Sequence, residues 1–283
     1  MTREHEALGI LHPGEMGQSI AAAAQHAGQT VFWASAGRSP ATRARAERVG
    51  LRDAGSLAEL CWLCGVIVCV CPPAAAEGVA ESVLAAGFRG LYLDANAIAP
   101  GRAMRLAKTF TAAGAEFVDG GIIGEPAWEP NTTWLYLSGP RASRAAACFS
   151  GGPLETAVLG PAVGQASALK MCYAAYAKGS LALLCATLAA AQGLGVRPAL
   201  ERQWSRDGSG FATQAEARAR QATAKAWRFS GEMDEIAATF EAAGLPGGFH
   251  QAAAQLFQRL AGFKDAAAQP PLEAVLTELL RAE

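Results

Sequence analysis

The sequence predicts two fold classes in series: an α/β domain with a mainly parallel sheet over residues 1–160, and an all-α domain over residues 161–283, joined by a long helix. Three observations carry this. Short apolar runs alternate with helical stretches through the first half of the chain. A glycine-bearing turn separates the first apolar run from the first helix. Strand signals then stop after Gly160, where a long stretch rich in Ala and Leu begins.

Residues 7–12 read as the first strand and 15–26 as the helix after it. A second strand, 30–34, leads to a helix over 38–49, for which Ser39 offers an N-cap oxygen and Pro40 a first-turn proline. Strands at 66–71, 91–94 and 116–118 continue the sheet with helices between them. Residues 134–137 and 155–158 read as late edge strands. Residues 162–192 form one helical stretch closed by Gly193, and further helices are expected around 197–206, 211–228, 231–243 and 247–262. The tail, 264–283, reads as a helix after Pro270-Pro271. No internal repeat is visible.

Composition narrows the function classes. Hydrophobic residues make up 51% of the 283-residue chain and charged residues 17%, which suits a packed, helix-rich protein and excludes disorder. With 24 basic and 25 acidic residues there is no electrostatic footprint for nucleic acid, so the expected partner is a small molecule. The longest apolar stretch, 180–191, is too short to span a bilayer, and Lys170 and Lys178 precede it. The charged opening Met1-Thr-Arg-Glu-His-Glu6 has no apolar run of the kind a secretory leader needs, which points to the cytoplasm. Seven cysteines, an odd number, argue against a disulfide framework. Cys61 and Cys64 have metal-like spacing, but Cys69 and Cys71 alternate along an apolar run and no histidine stands near in sequence. The expectation is core thiols in a reducing compartment, with no metal.

The segment His12-Pro13-Gly14-Glu15-Met16-Gly17 stands where a dinucleotide fingerprint belongs, directly after a strand and opening a helix. Gly14 lets backbone approach a pyrophosphate, Gly17 lets helix and strand pack closely, and the helix N-terminus supplies N–H groups and positive dipole. The first glycine of the usual pattern is replaced by His12, and Pro13 stiffens the turn. These features predict a Rossmann domain. NAD sites offer an acid after the second strand. Here the chain reads Ala34-Ser35-Ala-Gly-Arg38-Ser39, with no carboxylate until Glu47. One guanidinium, two hydroxyls and a helix N-terminus suit a 2′-phosphate, so NADP is expected over NAD.

With these pieces placed, the chain resembles the β-hydroxyacid dehydrogenase superfamily, which includes 3-hydroxyisobutyrate and 6-phosphogluconate dehydrogenases. It resembles more closely a bacterial NAD(P)-dependent oxidoreductase branch with a 6-phosphogluconate-dehydrogenase-like C-terminal domain. The resemblance covers residues 8 to about 260. It implies that the turn ending Met16-Gly17 binds cofactor, together with the strand-end segment Cys71-Pro72-Pro73 and the turn Asp94-Ala-Asn96. It implies that Lys170, early in the long helix after Gly160 and Gly164, is the catalytic lysine, and that Lys225 reaches the cofactor. A lysine suits the chemistry, because hydride transfer to a carbonyl carbon needs a proton delivered to the oxygen, and burial or an adjacent nicotinamide charge lowers its pKa. Lys178, two turns on, serves as a comparison, read as an ordinary solvated lysine.

The chain departs from the family in two places. Members that act on hydroxyacids grip the carboxylate with a serine-glycine-glycine turn after the sixth strand; here Ile122-Ile123-Gly124 follow Asp119-Gly-Gly, with Ile123 in the serine's place. An asparagine expected one turn after the lysine is Ala174, beside Tyr173. Both changes remove polar anchors, and Tyr173, Tyr176, Trp128 and Trp227 add aromatic surface; His250 is a further candidate facing the cleft. Three readings stay open: a carbonyl/alcohol dehydrogenase with Lys170 as acid–base, an imine reductase on the same fold, and a non-catalytic NADP-binding regulator. The apolar long helix, and the family's habit of burying it against a partner, imply a homodimer.

Overall fold

Near-continuous apolar runs form the centre of the sheet, because a parallel sheet has both faces covered. Strands β1 (Leu8–Leu11), β4 (Val66–Cys69) and β5 (Leu91–Asp94) are buried at every position. This computed structural model describes residues 7–281. The charged opening 1–6, on which the leader expectation rests, and the last two residues of the expected tail helix lie outside the described residues. The chain divides into two units, Met1–Met171 and Cys172–Glu283.

In the first unit, β2 (Val31–Trp33), β3 (Arg52–Asp53), β6 (Glu116–Gly124), β7 (Thr133–Ser138) and β8 (Leu154–Gly160) complete an eight-stranded sheet ordered β3-β2-β1-β4-β5-β6-β7-β8. Neighbours are parallel except β6 and β7. Period-two alternation sends Leu8, Ile10, Val66, Val68, Leu91 and Leu93 to one face, where α1 (Glu15–His26) packs with Ile20, Ala21 and Ala24. Ile67, Tyr92 and Phe117 go to the other face, under Leu60 of α3 (Leu57–Leu63), Val83 of α4 (Ala76–Ala85) and Phe110 of α5 (Pro100–Ala112). Tyr92 stacks on Phe110 at 4.4 Å between ring centroids. Helix α2 (Pro40–Arg48) begins as expected, with Ser39 Oγ accepting from Thr42 N at 3.3 Å.

Three features of the sheet differ from the sequence expectation. The short β3 was not expected, because Arg52 and Asp53 are exposed and carry no apolar alternation. Strand β6 runs on through residues 119–124, expected as a turn, because β7 pairs with it from Asp119↔Ser138 to Gly124↔Thr133. Strand β7 therefore lies inside the sheet between β6 and β8, and of these two late strands β8 is the one at an edge.

After the short α6 (Ala142–Ala147), the long helix α7 (Gln165–Gly193) starts in the first unit and continues into the second. At 29 residues it is long and apolar enough by composition to cross a membrane, which corrects the expectation drawn from 180–191 alone. Half of its most apolar window is buried within the protein, as in the core helix of a helical domain. The second unit adds α8 (Arg197–Trp204), α9 (Phe211–Ala222), α10 (Ala226–Ala242), α11 (Gly248–Arg259) and α12 (Leu272–Leu280). The break between α9 and α10 falls at 223–225, before Trp227, and not at 229–230 as the sequence suggested. Lys178 is not the solvated lysine expected: it pairs with the buried Glu232, which Arg228 also approaches at 3.7 Å, and its Nζ lies 5.1 Å from the Phe229 ring centroid.

Candidate dinucleotide and proton-transfer site

The turn after β1 has the geometry of a phosphate cradle. Gly14 is the N-cap residue of α1 and no side chain caps the helix, so the N–H groups of Glu15, Met16 and Gly17 point out of its first turn without intrahelical partners. A Cβ on Gly17 would collide with the His12 carbonyl, so only glycine lets the helix approach β1 this closely. Gly14 N donates to His12 O at 2.7 Å and tightens the turn. His12 itself sits at φ 66°, the left-handed region, in the position where the fingerprint keeps its first glycine.

Beyond β2, the expected basic site is larger than the sequence indicated. Arg38 is partly buried, its Nε is buried without a hydrogen-bond partner, and burial lowers its pKa against the opposing pull of Cys69 and Cys71. Two more arginines, not singled out in the sequence, converge here. Arg43 donates to Ser35 O at 2.8 Å, and Arg45 donates to Pro13 O at 3.1 Å while lying 3.7 Å from Glu15. Their spacing along α2, two residues apart, conceals that both reach back toward the loops. Ser39 Oγ is used as the cap of α2. A carboxylate is also present through space, Asp53 on β3. Burial pushes its carboxyl up, but hydrogen bonds from Ser35 and Gly55 and the charge of Arg43 outweigh this and hold it below the ordinary range. Asp53 was invisible to a search along the chain because β3 follows a whole helix later.

The ends of β4 and β5 are clamped together. Asn96 Oδ1 accepts from Cys71 N at 2.6 Å, and Asn96 Nδ2 donates to Asp94 Oδ2 at 3.1 Å and to Cys69 Sγ at 3.4 Å. Asn96 thus holds the segment Cys71-Pro72-Pro73 in place with a buried side chain. Asp94 is also buried. Burial pushes its pKa from the ordinary 3.8 up to about 7, with Asp119 adding to the rise and the Asn96 hydrogen bonds opposing it. The same strand ends bring His12 beside Cys69 and Cys71: one ligand atom from each lies within 4.8 Å of the others. The expectation that no histidine stands near these thiols is therefore overturned, because parallel pairing of β1 and β4 joins residues more than fifty positions apart.

Sequence reasoning passed over the anchor of the lysine helix. Asp119, 1% exposed on β6, accepts from Gly164 N at 2.9 Å, Ser167 N at 3.0 Å and Ser138 Oγ at 2.9 Å, and from the Ser167 hydroxyl. A carboxylate at this N-terminus satisfies orphan donors and complements the dipole. One turn on, α7 crosses Gly121, where a Cβ would come within 2.6 Å of Ala166 O and 3.1 Å of Lys170 Cβ. Lys170 is partly buried there. Ile122 is buried in the core cluster, Ile123 is half-buried and Gly124 exposed.

The remaining candidates belong to the second unit. Tyr173 is 55% exposed, Trp227 lies under Lys264 at 4.3 Å, and Lys225 stands at the N-cap of α10. The His250 ring packs against Phe240 at 4.3 Å and Phe249 at 5.2 Å, and burial lowers its pKa.

Residues 7–147 match the family model of the NAD-binding domain of 6-phosphogluconate dehydrogenase, and residues 191–260 match a domain of unknown function, DUF1932. No curated protein matches the chain. Among solved structures, the conserved protein MTH1747, described as structurally similar to 3-hydroxyacid dehydrogenases, is 27% identical over 91% of this chain and 97% of its own, with a TM-score of 0.65. The 3-hydroxyisobutyrate dehydrogenase of Salmonella typhimurium is 18% identical over 96% and 99% of the two chains, TM-score 0.69. An imine reductase variant from Myxococcus stipitatus in complex with NAD+ is 18% identical over 97% and 99%, TM-score 0.54.

Proposed function

Since this chain belongs to the β-hydroxyacid dehydrogenase superfamily and is an oxidoreductase that binds a nicotinamide dinucleotide, we propose that it uses NADP and exchanges hydride with the carbonyl/alcohol pair of a small molecule, with Lys170 as general acid and base. One observation carries this reading. Leu11, Cys69, Asp94 and Asp119 pair in register across β1, β4, β5 and β6, so the phosphate loop and the first turns of α7 emerge from the same, carboxyl end of the sheet. Ligands of open α/β sheets bind at that end.

The uncapped first turn of α1 and the close-packed Gly17 fit a pyrophosphate. Arg38, with Arg43 bonded to Ser35 O and Arg45 to Pro13 O, supports a 2′-phosphate over a bare ribose, since Asp53 is already engaged by Ser35 and Gly55. When bound, the nicotinamide supplies the hydride. The rest is the work of this chain. Asp119 and Gly121 fix the start of α7, which presents Lys170 beside β6. In reduction, Lys170 Nζ donates a proton to the carbonyl oxygen as negative charge develops there; in oxidation it removes the hydroxyl proton. Ile123, where the family places a serine, favours a substrate held by apolar and aromatic contact over a small hydroxyacid. We place the protein in the cytoplasm, which would keep its seven free thiols reduced. It is proposed to act there as a homodimer.

The test is NADPH and NADH oxidation against a panel of carbonyl compounds and cyclic imines at fixed pH. Carbonyl turnover with NADPH preferred is expected. Turnover of imines alone would move the assignment to imine reduction, and NADH preference would overturn the cofactor choice.

A further inference from the structure

His12, Cys69 and Cys71 are together without any role in hydride transfer. Their ligand atoms lie within 4.8 Å of one another, and the two sulfurs are 3.7 Å apart. That separation is far too long for a disulfide, but two thiolates on one tetrahedral zinc, each with a Zn–S bond of about 2.3 Å, stand about 3.8 Å apart. His12 forms a side-chain hydrogen bond with Cys69, and its Nδ1 is buried without a partner. Its backbone holds φ 66°, a conformation glycine would adopt without strain, so the histidine side chain is kept here at a cost. The clamp from Asn96 to Cys71 N fixes the second thiol.

We propose that His12, Cys69 and Cys71 form a binding site for zinc or a similar thiophilic divalent cation, and that occupation of this site competes with the dinucleotide. Binding converts two thiols to thiolates and releases two protons, so the site bearing Zn2+ and two thiolates is neutral beside Arg38. Imidazole with two thiolates is a borderline-soft donor set that suits zinc and leaves the fourth tetrahedral corner to a non-protein ligand. Competition follows because His12 opens the phosphate loop; this clause alone rests on the dinucleotide reading, and metal binding stands apart from it.

Cobalt(II) titration of the reduced full chain tests both parts, since thiolate-to-cobalt charge transfer gives an absorption band. The band is expected in the unmodified protein and in Cys172→Ser, an exposed thiol elsewhere. It should vanish in Cys69→Ser, with far-ultraviolet circular dichroism confirming the fold. NADPH at ten times its Kd should raise the half-saturating cobalt concentration about tenfold. Absence of the band from the unmodified protein, its survival in Cys69→Ser, or its loss in Cys172→Ser overturns the site. A band indifferent to NADPH in a protein shown to bind NADPH overturns the competition.

Discussion

Arg38 shows what reading along the chain detects and what it leaves out. Its position after the second strand, with no acid beside it, was enough to suggest a 2′-phosphate contact. Arg43 and Arg45 were not legible, because their reach to Ser35 O and Pro13 O depends on how α2 lies against the loops. Arg38→Ala is expected to weaken NADPH binding by about 1–3 kcal/mol, the worth of a charge-assisted hydrogen bond, and to leave NADH nearly unaffected. Fluorescence titration with both cofactors measures this; equal losses would remove Arg38 from the specificity site. Asp94 makes a second prediction at this scale. Its pKa is about 7 in the folded chain against 3.8 ordinarily, so the folded state holds a proton that the unfolded state has lost between those values. Its contribution to stability is therefore fully present below about pH 4 and declines as pH rises toward 7. Asp94→Asn, which cannot ionise, should lower Tm more at pH 5 than at pH 8. A loss independent of pH would show that Asp94 is charged throughout.

At the scale of elements, the start of α7 matters most. A sequence reading places Lys170 on a long helix after glycines, but the partner of that helix stays hidden, since Asp119 and Ser167 are 48 positions apart. The same limit explains β6. Residues 119–124 resemble a turn because of their glycines, yet Gly121 is a strand residue whose missing side chain admits Ala166 and Lys170. Conversely, His12 and the cysteines of β4 looked unrelated until strand pairing joined them. Asp119→Ala leaves several buried donors unsatisfied, so it should cost more than the 0.5–2 kcal/mol or so of an ordinary cap, and should lower turnover together with Tm. Thermal unfolding beside steady-state kinetics checks this. A variant with unchanged Tm would mean that α7 is anchored by other contacts.

For the whole molecule, the two fold classes and most of the strand and helix order were readable from periodicity, because buried parallel strands and long helices leave strong patterns. The placement of side chains in the second unit was not, and both Lys178 and His250 prove to be internal. Helix α7 still leaves Tyr173, Tyr176 and Leu183 exposed at 55%, 82% and 55%, in a stripe of spacing three and seven that a second copy would cover. Light scattering at micromolar concentration should therefore give twice the chain mass, and a fully active monomer would contradict the dimer. The most direct test of the account is Lys170→Ala, assayed with the best substrate from the carbonyl panel alongside NADPH binding. Turnover should fall by about 10²–10⁴-fold, the usual worth of a positioned acid or base, with NADPH affinity nearly intact. Unchanged turnover, or loss of NADPH binding in its place, would contradict proton transfer by Lys170.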